Sequence, residues 1–112
     1  MADELELTFD LPGEPGSRVD AWRASTPPFL ADHKRVDESY ESLVYEADVT
    51  STFTKFATMG FARTLYRLTF TFRPVTTSAG PGTRVTVVGK AREHTVKAMG
   101  RWFALQSLTR PT

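Results

Sequence analysis

The stretch Leu65-Tyr66-Arg67-Leu68-Thr69-Phe70-Thr71-Phe72-Arg73-Pro74 alternates without a break. Tyr66, Leu68, Phe70 and Phe72 fall on one side, and Leu65, Arg67, Thr69, Thr71 and Arg73 on the other. With a period of two and β-branched and aromatic residues throughout, this predicts a half-buried strand over Arg63 to Arg73, closed by Pro74. Thr77-Ser78-Ala79-Gly80-Pro81-Gly82 then reads as a flexible turn. Thr83 to Ala91 returns as a strand, with Val85, Val87 and Ala91 opposed to Arg84, Thr86, Val88 and Lys90. The two runs predict a long antiparallel hairpin, and the rest of the fold is read outward from it.

On the N-terminal side, residues 4 to 11 alternate in the same way. Leu5, Leu7, Phe9 and Leu11 oppose Glu4, Glu6, Thr8 and Asp10, which predicts another half-buried strand. Pro12-Gly13-Glu14-Pro15-Gly16 is loop punctuation, and Ser17 is a suitable N-cap for a short helix from Arg18 to about Ala24, with Val19 and Trp22 on its buried side. Thr26-Pro27-Pro28 ends that helix, because a residue before proline is pushed out of the α region. Phe29 to Asp37 fits either one or two further helical turns or an irregular strand. Tyr40 to Val49 alternates again, Leu43, Tyr45, Ala47 and Val49 facing away from Ser42, Val44, Glu46 and Asp48. After a turn at Thr50-Ser51-Thr52, Phe53 to Met59 reads as a short returning strand, with a helix as the competing reading.

Beyond the hairpin, the period changes. From His94 or Thr95 to Leu108, Val96, Met99 and Phe103 form one stripe with Ala98, Trp102 and Leu105 beside it, which predicts a helix lying across a sheet. Gly100 in its interior costs about 1 kcal/mol relative to Ala, marking either a close approach to a strand or simple tolerance.

Composition narrows the functional classes. A chain of 112 residues is long enough for a single core and too short for two, so residues 1–112 read as one α+β domain. The absence of cysteine excludes disulfides, thiolate catalysis and cysteine-ligated zinc, and two histidines do not make a His-rich metal site. No apolar run approaches the roughly 20 residues of a membrane span, and Met-Ala-Asp-Glu does not begin a signal peptide, so a cytoplasmic location is expected. No cofactor motif is present: Gly80-Pro81-Gly82 lacks the lysine and the strand-to-helix setting of a phosphate loop. His33 and His94 read as surface residues, with no nucleophile placed beside either, so catalysis is not expected.

Strand, short helix, several antiparallel strands and a terminal amphipathic helix give an antiparallel sheet of about five or six strands. This order resembles the START-like (SRPBCC, polyketide cyclase/dehydrase) helix-grip superfamily. The pattern-level resemblance is carried by Leu5 to Leu11, Arg18 to Ala24, the strand Leu65 to Pro74 and the run Gly82 to Val87 leading into the last helix. It implies a sheet curved around the C-terminal helix and an apolar small molecule between them. The chain is short for that family and lacks room for a second N-terminal helix. Tyr45, Phe56, Tyr66, Leu68, Phe70, Met99, Trp102 and Phe103 are the candidate pocket residues. The competing reading is that these side chains fill one another's space, since a small domain loses much by keeping a cavity.

The formal charge is +1, yet twelve of the thirteen carboxylates lie in residues 1–50 and ten of the fourteen Lys and Arg in residues 51–112. A basic C-terminal half interleaved with aromatics is the ingredient list of a single-strand binder. Burying Phe70 and Phe72 leaves only an Arg/Thr face wet, however, so nucleic acid is the weaker expectation. The halves instead read as complementary: if the first strand pairs with the last, Glu4, Glu6 and Asp10 share a face with Arg84, Lys90 and Arg92, and Glu46 and Asp48 approach Arg67. A homodimer or protein-interaction module is the alternative function, with Trp22, Phe29 and Trp102 as candidate interface anchors.

Overall fold

The computed structural model describes residues 4–60, 63–78 and 80–107. Strands β1 (Leu5–Pro12), β2 (Lys34–Glu38), β3 (Ser42–Asp48), β4 (Leu65–Thr77) and β5 (Gly80–Gly89) form one antiparallel sheet in the order β1-β5-β4-β3-β2. Helix α1 (Pro15–Ala24) follows β1, α2 (Thr52–Ala57) joins β3 to β4, and α3 (Glu93–Ser107) ends the described chain. The class is α+β, with the predicted short helix after the first strand and a C-terminal helix. Among the described residues, no helix is long and apolar enough to cross a membrane.

Parity decides the core. Leu11 on β1, Val85 and Val87 on β5, Leu68, Phe70 and Phe72 on β4, and Leu43, Tyr45 and Ala47 on β3 are all buried, as alternation requires of one covered face. α1 packs against β4 and β5, and α3 against β1 and a short 3-10 turn at Pro28–Leu30. Val19 and Trp22 reach the core from α1, and Met99 and Phe103 from α3. Fifteen buried side chains thus form one cluster, a single apolar layer between sheet and helices.

The pairing of β1 with β5 joins the first and last strands and brings part of the segregated charge together, while Glu4, Glu6 and Lys90 form no ion pair among the described residues. Asp10 lies opposite Arg84 in that ladder, and Glu46 lies opposite Arg67 between β3 and β4. Both pairs close, with Arg67 Nη2 donating to Glu46 Oε2 at 3.0 Å. Asp48 meets Lys55 of α2 rather than Arg67, at 3.9 Å, and Arg92 turns away to Asp32.

Several boundaries differ from the sequence reading, each for a local reason. α1 starts at Pro15 rather than Arg18, with Glu14 and not Ser17 at the N-cap position. A proline at the first helical position loses a donor that would have no intrahelical partner anyway, so Pro15 opens the helix instead of breaking it. Phe29 to Asp37 splits into the 3-10 turn and the wholly exposed strand β2. Phe53 to Met59 is the competing helix and not a strand: Ser51 Oγ accepts from the Thr54 N–H at 3.1 Å and caps α2.

β4 also runs through Pro74 to Thr77 instead of stopping there. The Phe72 N–H donates to Glu41 O at 2.7 Å on the β3 side. Pro74, two residues on, turns its nitrogen to that same side, beyond the end of β3, so the ladder with β5 loses no donor. The predicted Thr77–Gly82 turn contracts correspondingly, because pairing continues to Thr77 opposite Gly80.

At the other end of this hairpin, Gly89 lies opposite both Leu5 and Leu68 with φ +142°, and a Cβ there would strike the Arg67 carbonyl oxygen. Only glycine permits that backbone contact. The molecule measures 54 × 24 × 20 Å and has a radius of gyration of 15.6 Å, against about 13 Å for a compact domain of this length.

Candidate functional site

The predicted pocket residues divide sharply. Tyr45, Leu68, Phe70, Met99 and Phe103 lie in the core cluster, and Trp102 packs against it half-buried. Tyr66 shares their face of β4 but is only partly buried near the strand's beginning, opposite Ala47. Phe56 is not with them: it sits on α2 and is 86% exposed.

What brings the others together is a residue outside that set. The Trp22 ring centre lies 4.9 Å from Phe70, 5.3 Å from Phe72, 5.4 Å from Trp102, 6.1 Å from Phe103 and 6.4 Å from Tyr45. Phe103 stacks flat on Phe9 at 4.2 Å. These rings occupy the layer between sheet and helices. Trp22 and Phe29, read as candidate interface anchors, are therefore core residues, 2% and 7% exposed. The Val19 and Trp22 spacing on α1 was the signal for this, since both side chains point down the same helix face.

Two polar atoms inside the cluster are unusual. Trp22 Nε1 and the Tyr45 hydroxyl are buried and have no hydrogen-bond partner among the described residues. Burying an unpaired donor costs about 1–3 kcal/mol, so the cluster holds a polar demand that its own side chains do not meet.

Two surface features lie at opposite ends of β4. At its start, Thr50 and Thr64 pin the neck of the α2 excursion: the Thr64 N–H donates to Thr50 Oγ1 at 2.6 Å and the Val49 N–H to Thr64 O at 2.9 Å. Above this neck, α2 buries nothing, and Phe53, Phe56 and Met59 are 80%, 86% and 85% exposed. At the far end a cleft of about 770 Å³ opens between α1, the β2–β3 turn and the end of the β4–β5 hairpin. Val19, Phe72 and Val75 line it with Tyr40, Glu14 and Glu41.

The histidines divide as well. His94 is exposed, but the His33 side chain is 2% exposed, contrary to the surface reading, with Nδ1 2.8 Å from Asp32 Oδ1. Burial pushes the Asp32 carboxyl up, but the His33 hydrogen bond and charge, with Arg92 adding to them, more than offset it and hold Asp32 below the usual carboxylate range. No nucleophile joins this pair in any contact among the described residues. Nor do three or more His, Asp or Glu gather there in a group able to hold a metal ion. Of the C-terminal arginines, Arg67, Arg84 and Arg92 are paired with carboxylates of the N-terminal half.

In comparisons with known proteins, no family model, curated protein or solved structure matches the chain.

Proposed function

We propose that this protein is a homo-oligomeric interaction module, a filled sheet-and-helix scaffold whose α2 excursion packs against α2 of a second copy. The observation that carries this reading is the near-complete exposure of Phe53 and Phe56 on a helix that buries nothing, and of Met59 in the turn just after it. A monomer leaves such an apolar group in water at a cost, and side chains of this size present about 500 Å² together. A two-fold contact would remove about 1,000 Å² in total, the low end for a specific interface, so the expected dissociation constant is on the order of 10 μM. The rim is compatible with self-pairing, because Lys55 and Asp48, 3.9 Å apart within one copy, place both signs near the apolar centre, so a two-fold contact does not set like charges alone against each other.

Sedimentation equilibrium tests it. The wild-type chain should dimerise reversibly, and Phe53→Ser with Phe56→Ser should be monomeric with an unchanged circular dichroism spectrum. A wild-type chain that stays monomeric at about fifty times the expected dissociation constant ends the proposal.

A second reading follows the START-like resemblance: an apolar ligand between the sheet and α3, with the sheet curved around that helix. It is supported by the β1–β5 pairing, by the position of α1 and by the unpaired Trp22 Nε1 and Tyr45 hydroxyl, which a ligand acceptor would satisfy. Titration with medium-chain fatty acids and naphthol, followed by Trp fluorescence, decides it. An unchanged spectrum with every ligand removes this reading.

A further inference from the structure

The cleft at the far end of β4 has a chemistry of its own, independent of α2. Its walls are fixed by hydrogen bonds. The Gly13 N–H donates to Pro81 O at 3.1 Å and Thr83 Oγ1 to Gly13 O at 2.8 Å, tying the hairpin end to the start of α1. Arg23 Nη2 donates to Ser39 O at 2.7 Å, and the Phe72 N–H to Glu41 O, holding the β2–β3 turn against α1 and β4. Gly82 keeps the hairpin wall thin, since a Cβ there would collide with Thr77 and with the Leu11 carbonyl oxygen. A site bounded by backbone anchors on three elements keeps its shape before a ligand arrives.

Its lining is apolar and anionic. Val19 and Phe72 are almost fully buried, Tyr40 offers a ring that is 89% exposed, and Glu14 and Glu41 bring two carboxylates. Among the described residues, no lysine or arginine lines it. Among the described residues, neither Glu14 nor Glu41 forms an ion pair, a state they share with Glu4, Glu6 and Asp37, whereas Asp10, Asp20, Asp32, Glu38, Glu46, Asp48 and Glu93 are paired. Unpaired carboxylates beside an exposed aromatic face and apolar walls are complementary to an organic cation: the ammonium meets carboxylate and ring, and the hydrocarbon meets Pro74, Val75 and Pro81 above the buried Val19 and Phe72. A volume of about 770 Å³ is of ordinary ligand-site size.

We infer that this cleft binds a small organic ammonium ion with an apolar body, its charge held by Glu14, Glu41 and the Tyr40 ring. An anionic ligand is disfavoured by the same two carboxylates, and an uncharged one forgoes the interaction that distinguishes this cleft from any other apolar surface.

The experiment is an amide chemical-shift titration of the Phe53→Ser, Phe56→Ser chain, so that self-association does not enter. 2-Phenylethylammonium is the probe, and 2-phenylethanol of nearly the same shape is its uncharged control. The ammonium should shift the amides of Glu41, Val75, Thr76 and Gly82 and bind at least about ten-fold more tightly than the alcohol. Glu14→Gln with Glu41→Gln should remove that preference, and Tyr40→Ala, at an exposed side chain, should weaken the ammonium alone. Equal binding of the two probes, shifts elsewhere with none in the cleft, or a preference that survives both glutamine substitutions would each overturn the assignment.

Discussion

Arg84 grips Asp10 across the ladder that joins the first strand to the last, Nε and Nη2 donating to its two carboxylate oxygens at 2.9 and 3.2 Å. A planar guanidinium meets a carboxylate in this two-point fashion with fixed geometry, so the pair selects the β1–β5 register as well as adding attraction. Arg73, opposite Arg84 on its other side, makes the choice sharper: the like charge sits on β4 and the unlike charge on β1.

The pair gives a prediction in pH. The Arg84 hydrogen bond, against a smaller opposing effect of burial and helped by the Arg84 charge, holds the Asp10 carboxyl below the usual carboxylate range. A carboxyl with a lowered folded-state pKa binds fewer protons than in the unfolded chain. Its stabilising contribution is therefore complete above the usual carboxylate range and lost as pH falls through the folded value. Carboxyl-carbon NMR titration should find Asp10 titrating below the usual carboxylate range, and Arg84→Ala should return it to that range. An Asp10 that titrates within the usual carboxylate range in the wild-type chain would show the pair to be open in solution.

Burial separates two phenylalanines that the sequence reading grouped together. Phe103→Ala removes a ring stacked on Phe9 and 1% exposed, and should cost about 3–5 kcal/mol in urea unfolding. Phe56→Ser, at a side chain 86% exposed, should change the stability of the dilute chain by no more than about 0.5 kcal/mol. Similar losses at both positions would place α2 inside the fold.

Two glycines should respond with opposite signs to alanine. Gly89→Ala puts a methyl group against the Arg67 carbonyl at a positive φ and should destabilise by about 1–3 kcal/mol. Gly100, in the interior of α3, has open space around the same atom, so tolerance rather than close approach explains it. Gly100→Ala should stabilise by about 0.5–1 kcal/mol in thermal or urea unfolding.

The unpaired Tyr45 hydroxyl predicts an unusual outcome for a core substitution. Tyr45→Phe keeps the ring among Trp22 and Phe70 and deletes the buried group that lacks a partner. Stability should stay level or rise by about 1 kcal/mol, measured by urea unfolding. A loss of that size would mean that the hydroxyl is hydrogen-bonded in solution.

By itself, the sequence determined which side chains share a face. Successive Cβ atoms on a strand point to opposite sides, so the alternations at Leu5–Leu11, Leu43–Val49, Leu65–Arg73 and Arg84–Val88 fixed the buried and wet faces before any strand was paired. The charge asymmetry likewise foretold the Asp10–Arg84 and Glu46–Arg67 contacts, because opposite charges on paired strands select a register. It did not determine which elements receive cover. Phe53 and Phe56 carry the same apolar character as Phe70 and Phe103, but the Thr50–Thr64 neck holds α2 beyond the sheet, where none of its residues is buried. His33, short of any local signal, is buried by its surroundings and not by its own pattern. The cleft arises only where Glu14–Gly16, Tyr40–Glu41, Pro74–Thr76 and Gly80–Gly82 meet, segments that include residues far apart in the chain. Periodicity is a property of one segment and survives in isolation, whereas burial and concavity belong to the space between segments, which only the tertiary structure creates.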